Sequence, residues 1–449
     1  MCDLTGFRRA CPRTGVRPRR TWVLQRAGYA LVLVAALSCG ASAQVLDEYF
    51  PVVSWDDEAF QLDTVQSHNL SEFDNKGIQL GSFVIRPSLE ESFGLDDNIL
   101  GSPIRLASPE VRTQVAINAA TDWDSNGLFA NLTANDVRYL TQPQQSYTDW
   151  TASVGGSYDI GRDKATLVYS HLSLNLPPSE IDNEVAGVPI PYDVDDVHAS
   201  YLADLGRFSL KPELGFTSYR FDTVVVNGLN AGSQYGDRDV FSGGLTAAYE
   251  FDTGRRFVVA LRGSYSAFET TNGQPLRNNT GLTALTGLDY TANALVRYRI
   301  LVGVAQRIYD SSAYQTITAP VVEGSVIWTP QRVTTVTGTV IRRIEDAIDA
   351  SSVGYTYTQA NLVVDHEVRR DLLLQGRMGA QIADYSQNGG TQTIYTFGGR
   401  VEWYLNRVAK LTCDYSFSVG RNQDPAAENT IEQGAYNRNV IMVGVRLQL

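Results

Sequence analysis

The chain has 449 residues and carries 37 Lys and Arg against 49 Asp and Glu, a formal net charge of −12. An acid excess of this size excludes nucleic-acid binding through backbone charge, because phosphates select cationic surfaces. Only 19% of residues are charged, while Gly and Tyr are abundant, a balance that suits strands with one apolar and one wet face.

Residues 1–43 hold seven arginines and a single acid, Asp3, followed by an apolar run from Ala30 to Leu37 and then Ala41-Ser42-Ala43. A basic start, a short apolar stretch and an A-x-A site read as a secretory signal peptide, and the run is too short to span a bilayer. Arg19-Arg20 suggests a twin-Arg signal, which is discounted because a barrel must cross the inner membrane unfolded. Cys39 suggests a lipoprotein, but Leu37 lies one place too close, so cleavage after Ala43 is expected. Cys2, Cys11 and Cys39 leave with this segment and only Cys413 stays, so neither a disulfide framework nor a Cys-based metal site is expected. The mature charge becomes 30 − 48 = −18.

Residues 44–78 read as an irregular periplasmic lead, acidic at Asp47, Glu48, Asp56, Asp57 and Glu58, and too short to serve as a plug domain. From about residue 80 onward, roughly eighteen segments of about ten residues alternate in polarity, the length a tilted membrane strand needs. In 257–267, Phe257, Val259, Leu261 and Tyr265 alternate with Arg262, Ser264 and Ser266. In 409–419, Leu411, Cys413, Tyr415 and Phe417 oppose Lys410, Thr412, Asp414 and Ser416. Two stretches fit less well: 165–176, where Leu167 and Tyr169 give way to Leu172 and Leu174 as if by a phase slip, and the Thr-rich 333–342.

Connections alternate in length. Eight short turns, such as Ile160–Lys164 and Leu405–Val408, separate nine longer polar loops, among them 175–195, 221–239, 343–354 and 420–438. Short turns are periplasmic and long loops extracellular in bacterial barrels. Trp123, Tyr158, Tyr249, Phe251, Tyr290, Trp328, Trp403 and Tyr404 cluster before the short turns, as an interfacial aromatic belt would. The last nine residues alternate strictly, with Ile441, Val443, Val445, Leu447 and Leu449 on one face. A soluble barrel also alternates, with its apolar face inward; the signal peptide and this closing strand decide for membrane. The expected fold is all-β: a transmembrane antiparallel up-and-down β-barrel over 79–449, of about 18 strands with 16 as the alternative.

No enzyme signature emerges. The four histidines lack metal-ligand spacing. Ser170-His171 and His198 with Ser200, the latter sharing a strand face, raise a membrane-embedded hydrolase as a remote option, since a usable nucleophile–base pair also needs a third orienting group and hydrogen-bond reach. Asp96-Asp97-Asn98 could offer oxygens to Ca²⁺, yet three consecutive residues fit a capped turn better. No cofactor and no metal site are expected. The inward faces carry both charge signs, and Arg86, Arg112, Arg262, Arg297, Arg299, Arg377, Glu250 and Asp365 are the pore-lining candidates. They serve either as cross-strand pairs holding the wall or as contacts for a hydrated, anionic or sugar-like solute.

Gly77-Ile78-Gln79-Leu80-Gly81-Ser82-Phe83-Val84-Ile85-Arg86-Pro87-Ser88-Leu89, followed by Gly94-Leu95-Asp96-Asp97-Asn98-Ile99, resembles the β-barrel porin family found with exopolysaccharide synthesis and export loci. Tyr158-Asp159-Ile160-Gly161-Arg162-Asp163 and Gln306-Arg307-Ile308-Tyr309-Asp310 are similar to it too. The resemblance covers about 80–449 and implies an outer-membrane barrel assisting capsule or exopolysaccharide export, with no catalytic residues. Two functions follow as expectations. One is a porin passing hydrophilic solutes or aiding polysaccharide export. The other is a structural barrel with a closed lumen whose loops bind outside partners. Either would sit in a Gram-negative outer membrane. Its partners would be lipid, the outer-membrane assembly machinery, and polysaccharide or export proteins, and no nucleic acid.

Overall fold

The computed structural model describes residues 64, 65, 73 and 76–449, apart from 124, 183–186, 227–228, 231–235, 270–274, 294, 349–351, 387–389 and 424–433. The expected signal peptide and most of the lead lie outside the described residues.

Eighteen strands form one closed antiparallel sheet. In chain order they are β1 (Phe83–Asp96), β2 (Ser108–Thr121), β3 (Gly127–Tyr139), β4 (Tyr147–Ile160), β5 (Asp163–Leu176), β6 (Ile190–Asp204), β7 (Phe208–Phe221), β8 (Arg238–Asp252) and β9 (Arg255–Phe268). The second half comprises β10 (Asn279–Asn293), β11 (Val296–Tyr309), β12 (Ile317–Gln331), β13 (Thr334–Asp346), β14 (Gly354–Arg369), β15 (Leu372–Tyr385), β16 (Thr391–Tyr404), β17 (Ala409–Gln423) and β18 (Gly434–Gln448). Each strand pairs with its chain neighbours, and β1 meets β18 from Ser88↔Gln448 to Asp96↔Val440. Closure satisfies every edge, the condition for a sheet in lipid. Below that seam a three-residue strand, Ile78–Leu80, pairs with Phe83–Ile85. The short turns are tight: β4 and β5 are joined by Gly161-Arg162, with Gly161 at φ 68°, a left-handed conformation that glycine reaches without strain.

The pleat sets the two faces. Phe257, Leu261 and Tyr265 of β9 point outward, with Leu261 54% exposed, while Val258, Ala260 and Ser266 are buried on the inner side. Val443, Val445 and Leu447 of β18 likewise stand exposed outside. An outer surface this apolar is stable against lipid and costly against water. Trp123, Tyr158, Phe251, Trp328 and Trp403 lie on it as the aromatic belt requires. Tyr404 does not. It shares a face with Lys410 and takes the Lys410 ammonium over its ring at 5.1 Å, on the lumenal side.

Two details differ from the pattern read in sequence. Strands run to 13–16 residues rather than about ten, so they continue beyond the lipid-facing band. There is also no phase slip in β5: its pairing with β4 is unbroken from Trp150↔Ser173 to Ile160↔Asp163. Leu167 and Tyr169 face out, whereas Leu172, Leu174 and Leu176 are buried inside the barrel. The apolar residues change sides because this end of the strand has an apolar core within the barrel.

Candidate functional site

That core is built by the longer loops folding into one mouth of the barrel. The β5–β6 and β13–β14 loops stand eight strands apart in a ring of eighteen, on nearly opposite sides. Each sends an isoleucine across. Ile348 of the β13–β14 loop is buried in a cluster with Leu172, Leu174 and Leu176 of β5, Ile190, Tyr192 and Val194 of β6, and Tyr219 and Phe221 of β7. Ile181 of the β5–β6 loop is buried among Ala347, Tyr355, Tyr357 and Ala383, on the β13–β15 side.

Asp182 fastens the exchange. Its carboxylate accepts the Ile348 N–H at 2.7 Å and the Tyr385 hydroxyl at 3.4 Å. Its own N–H donates to Gln392 Oε1 at 3.0 Å. The residue sits at φ 69°, a left-handed conformation that Asp tolerates better than most residues, and at a cost. Arg277 holds the other side of the bridge by donating to the carbonyls of Ala347 at 2.8 Å and Ser352 at 3.2 Å. Its guanidinium lies 4.7 Å from the Phe268 ring centre. Burial pulls Arg277 below its ordinary proton affinity, opposed by the charge of Asp346. Asp346 in turn pairs with Arg307 and accepts from Asn279 at 3.2 Å, so the top of β13 leans over the lumen toward β10 and β11.

The D-D-N motif closes the seam beside this bridge. Asp96 is fully buried and pairs with Arg438 at 2.6 Å, and Arg438 donates to Ser179 at 2.7 Å. Asp97 accepts both the N–H of Asn439, at 2.6 Å, and its side-chain amide, at 2.8 Å. Asn98 donates to the carbonyls of Ser102 and Asn437. The motif therefore ties the first strand to the last; among the described residues no cluster has the make-up of a metal site.

Below the mouth the lumenal wall has two characters. On β1 and β15–β18 it is charged. Glu90 accepts from Arg400 at 3.0 Å and Thr412 at 2.8 Å, Glu402 from Arg400 at 2.9 Å and Lys410 at 2.6 Å, and Arg377 pairs with Asp414 at 2.8 Å. On β8–β12 an apolar patch, including Val258, Leu285, Leu301 and Val321, is flanked by the Arg262–Glu323 and Arg297–Asp289 pairs. All eight residues singled out in sequence stand on the lumenal face, but they form no single cluster. Arg262, Arg297 and Arg299 share β9–β11; Asp365 and Arg377 lie on β14 and β15; Arg86 and Arg112 lie on β1 and β2; Glu250 pairs with Arg256 at 3.4 Å near a short turn. Arg112 pairs with Glu110 at 2.6 Å, and Asp365 accepts from Gln375 at 2.9 Å.

The Ser170–His171 pairing finds no geometry. His171 faces outward, bonded to Asp195 at 2.8 Å and tilted against Trp150, while Ser170 is buried on the opposite face.

Residues 71–449 match the family described as "putative beta-barrel porin 2". The chain belongs to this family. No curated protein matches it in sequence. Among solved structures, the porin-family barrel is similar to OccAB3 of Acinetobacter baumannii (9% identity, TM-score 0.42, 82% of this chain and 100% of that one). It is similar to OccK2 (OpdF) of Pseudomonas aeruginosa (11%, 0.44, 81% and 98%). It is also similar to the FrpB iron transporter of Neisseria meningitidis (8%, 0.44, 83% and 82%).

The inter-loop bridge has a signal that sequence could have offered. Leu172, Leu174 and Leu176 face Ile190, Tyr192 and Val194 at inward-parity positions, an apolar inner surface that a water-filled barrel does not need. What Ile181, Asp182 and Ile348 do there has no local signature.

Proposed function

We propose that this porin-family barrel is a channel of the Gram-negative outer membrane that passes small hydrophilic solutes, with its extracellular mouth narrowed by the Ile181–Asp182–Ile348 bridge. The observation that carries this reading is the contrast of faces: an apolar exterior around an inner wall lined with paired charges of both signs. Such a wall replaces part of the hydration of a passing ion or sugar and focuses the field across the lumen. Arg262, Arg297, Arg299 and Arg377 are the contacts for an anionic or sugar-like solute, with Arg86, Arg112, Glu250 and Asp365 completing the lining. Exopolysaccharide as the cargo rests on the sequence resemblance and on this hydrogen-bonding lining, and it needs the bridge to open. The competing reading, a structural barrel closed at the top whose loops bind partners, is favoured by the bridge itself. Unitary conductance and ion selectivity in planar bilayers decide. The channel reading expects steady conductance whose anion preference falls in Arg262→Ala and Arg377→Ala. A folded barrel that does not conduct overturns it.

A further inference from the structure

Two hydrogen-bond ladders stop short on the long-loop side, although both of their strands continue. The β4–β5 ladder ends at Trp150↔Ser173, while β4 reaches to Tyr147 and β5 to Leu176. The β12–β13 ladder ends at Val322↔Arg342, while β12 reaches to Ile317 and β13 to Asp346. Each departing strand stays paired with its own hairpin partner, through Leu176↔Ile190 and Asp346↔Gly354. On the far side the hairpins hold as well, through Tyr192↔Phe221 and Tyr355↔Tyr385. These are the two hairpins whose loops carry Ile181 and Ile348 across the mouth.

Local chemistry separates the strands. The Asn175 N–H donates to Asp149 Oδ1 at 2.8 Å, and its side-chain amide donates to the same oxygen at 3.0 Å. A short side chain thereby takes the place of a backbone acceptor on β4, a competition for which Asp is suited. In the other ladder, Pro320 would oppose Ile344 if the register continued, and it has no N–H to give. Above Arg342 the hairpin has rolled inward. Val336 lies opposite the exposed Trp328 and faces out. Ile344 has the same parity, yet it is buried in the lumenal cluster with Val258 and Leu301. Thr356, opposite Ile344 on β14, is buried too, and the register between the two strands is unbroken. The two strands roll as one body.

Two arrangements of the same chain therefore compete. In the bridged one, Ile181 and Ile348 are buried across the lumen, and backbone edges are left on β4 and β12. In the other the ladders run on, satisfying those edges at the expense of the apolar contacts. We infer that the upper ends of β5–β6 and β13–β14 are hinged flaps. Releasing the Ile181–Asp182–Ile348 contact lets each swing out of the lumen and pair with the strand it has left, β5 with β4 and β13 with β12. The inference rests on the bridged mouth of the proposed channel and gives its mode of opening.

The test reads pairing rather than conduction. Exported protein with Cys413→Ser, which removes the exposed native thiol, receives Ala319→Cys and Glu345→Cys. These positions become directly opposed when the β12–β13 register continues. Opposed residues bring their Cα atoms to about 4.5–5.5 Å, within disulfide reach. Disulfide formation under a mild oxidant is followed as a mobility shift of the heat-modifiable folded band. It is expected to be at least several-fold faster in Ile348→Ala than in the otherwise identical protein. Equal rates in the two folded proteins, or no disulfide in Ile348→Ala, overturn the inference. Should the cysteine pair fail to fold, amide hydrogen exchange of Ile348→Ala against the wild type takes its place. Residues 317–321 and 343–346 are then expected to exchange several-fold more slowly once the bridge is lost, and unchanged or faster exchange overturns the inference. The expected disulfide in a barrel that never conducts would remove the channel reading and leave the flaps standing.

Discussion

Truncating Ile348 to alanine should open the mouth. The side chain is buried among β5–β7 residues of the opposite wall, so its loss removes apolar burial and leaves a cavity. For isoleucine in a packed site the cost is about 2–5 kcal/mol. Taking about 3 kcal/mol, the balance between bridged and released loops shifts about a hundredfold. Asp182→Asn keeps a residue that tolerates the left-handed backbone and replaces a charged acceptor of the Ile348 N–H by a neutral one. The difference between those hydrogen bonds is about 1 kcal/mol, roughly a fivefold shift. The expected order is therefore Ile348→Ala above Asp182→Asn, with the double variant less than additive because both act on one loop. The readout is the fraction of time spent in the high-conductance level in planar bilayers, on protein shown to be folded by heat-modifiability. If folded Ile348→Ala and Ile181→Ala both conduct and gate as the wild type does, the bridge does not control passage and the reasoning fails.

Leu261→Arg should impair assembly into liposomes by about 2–4 kcal/mol, because the side chain faces lipid. Arg262→Ala, one residue along and lumenal, should fold normally; reversed phenotypes would mean the faces are exchanged. Arg438→Ala strips the buried Asp96 carboxylate of its cation at the strand seam, a loss of about 3–5 kcal/mol, read as a lower melting temperature of the folded band on gels. An unchanged midpoint would show that the seam does not depend on this pair. An epitope inserted at 424–432 should be reached by antibody on intact cells and one at Asn406 should not; the opposite result would invert the barrel. Amino-terminal sequencing of exported protein should begin at Gln44, and an intact leader would refute the cleavage site.

Alternation along the backbone was enough to determine the barrel. A period of two puts successive residues on opposite faces, so Leu261 and Arg262, or Val443 and Met442, part whatever the rest of the chain does. The eighteen strands follow from counting short and long connections, and the closing strand at 441–449 meets β1 as its pattern requires. The inward position of Arg262, Arg297 and Arg377 was legible for the same reason. Their partners were not: Glu323 lies 61 residues from Arg262, and which acid meets which base depends on strand stagger. Alternation also misleads where the surroundings change. Leu172 and Leu174 seem out of phase only if water is assumed inside, and the loop that makes their side apolar arrives from residue 348. The Asp182–Ile348 contact joins positions 166 residues apart through a backbone amide, which carries no side-chain signal at all. Local periodicity records what each strand faces on average. Only the closed ring sets which loops stand across from one another, and so where the mouth is bridged.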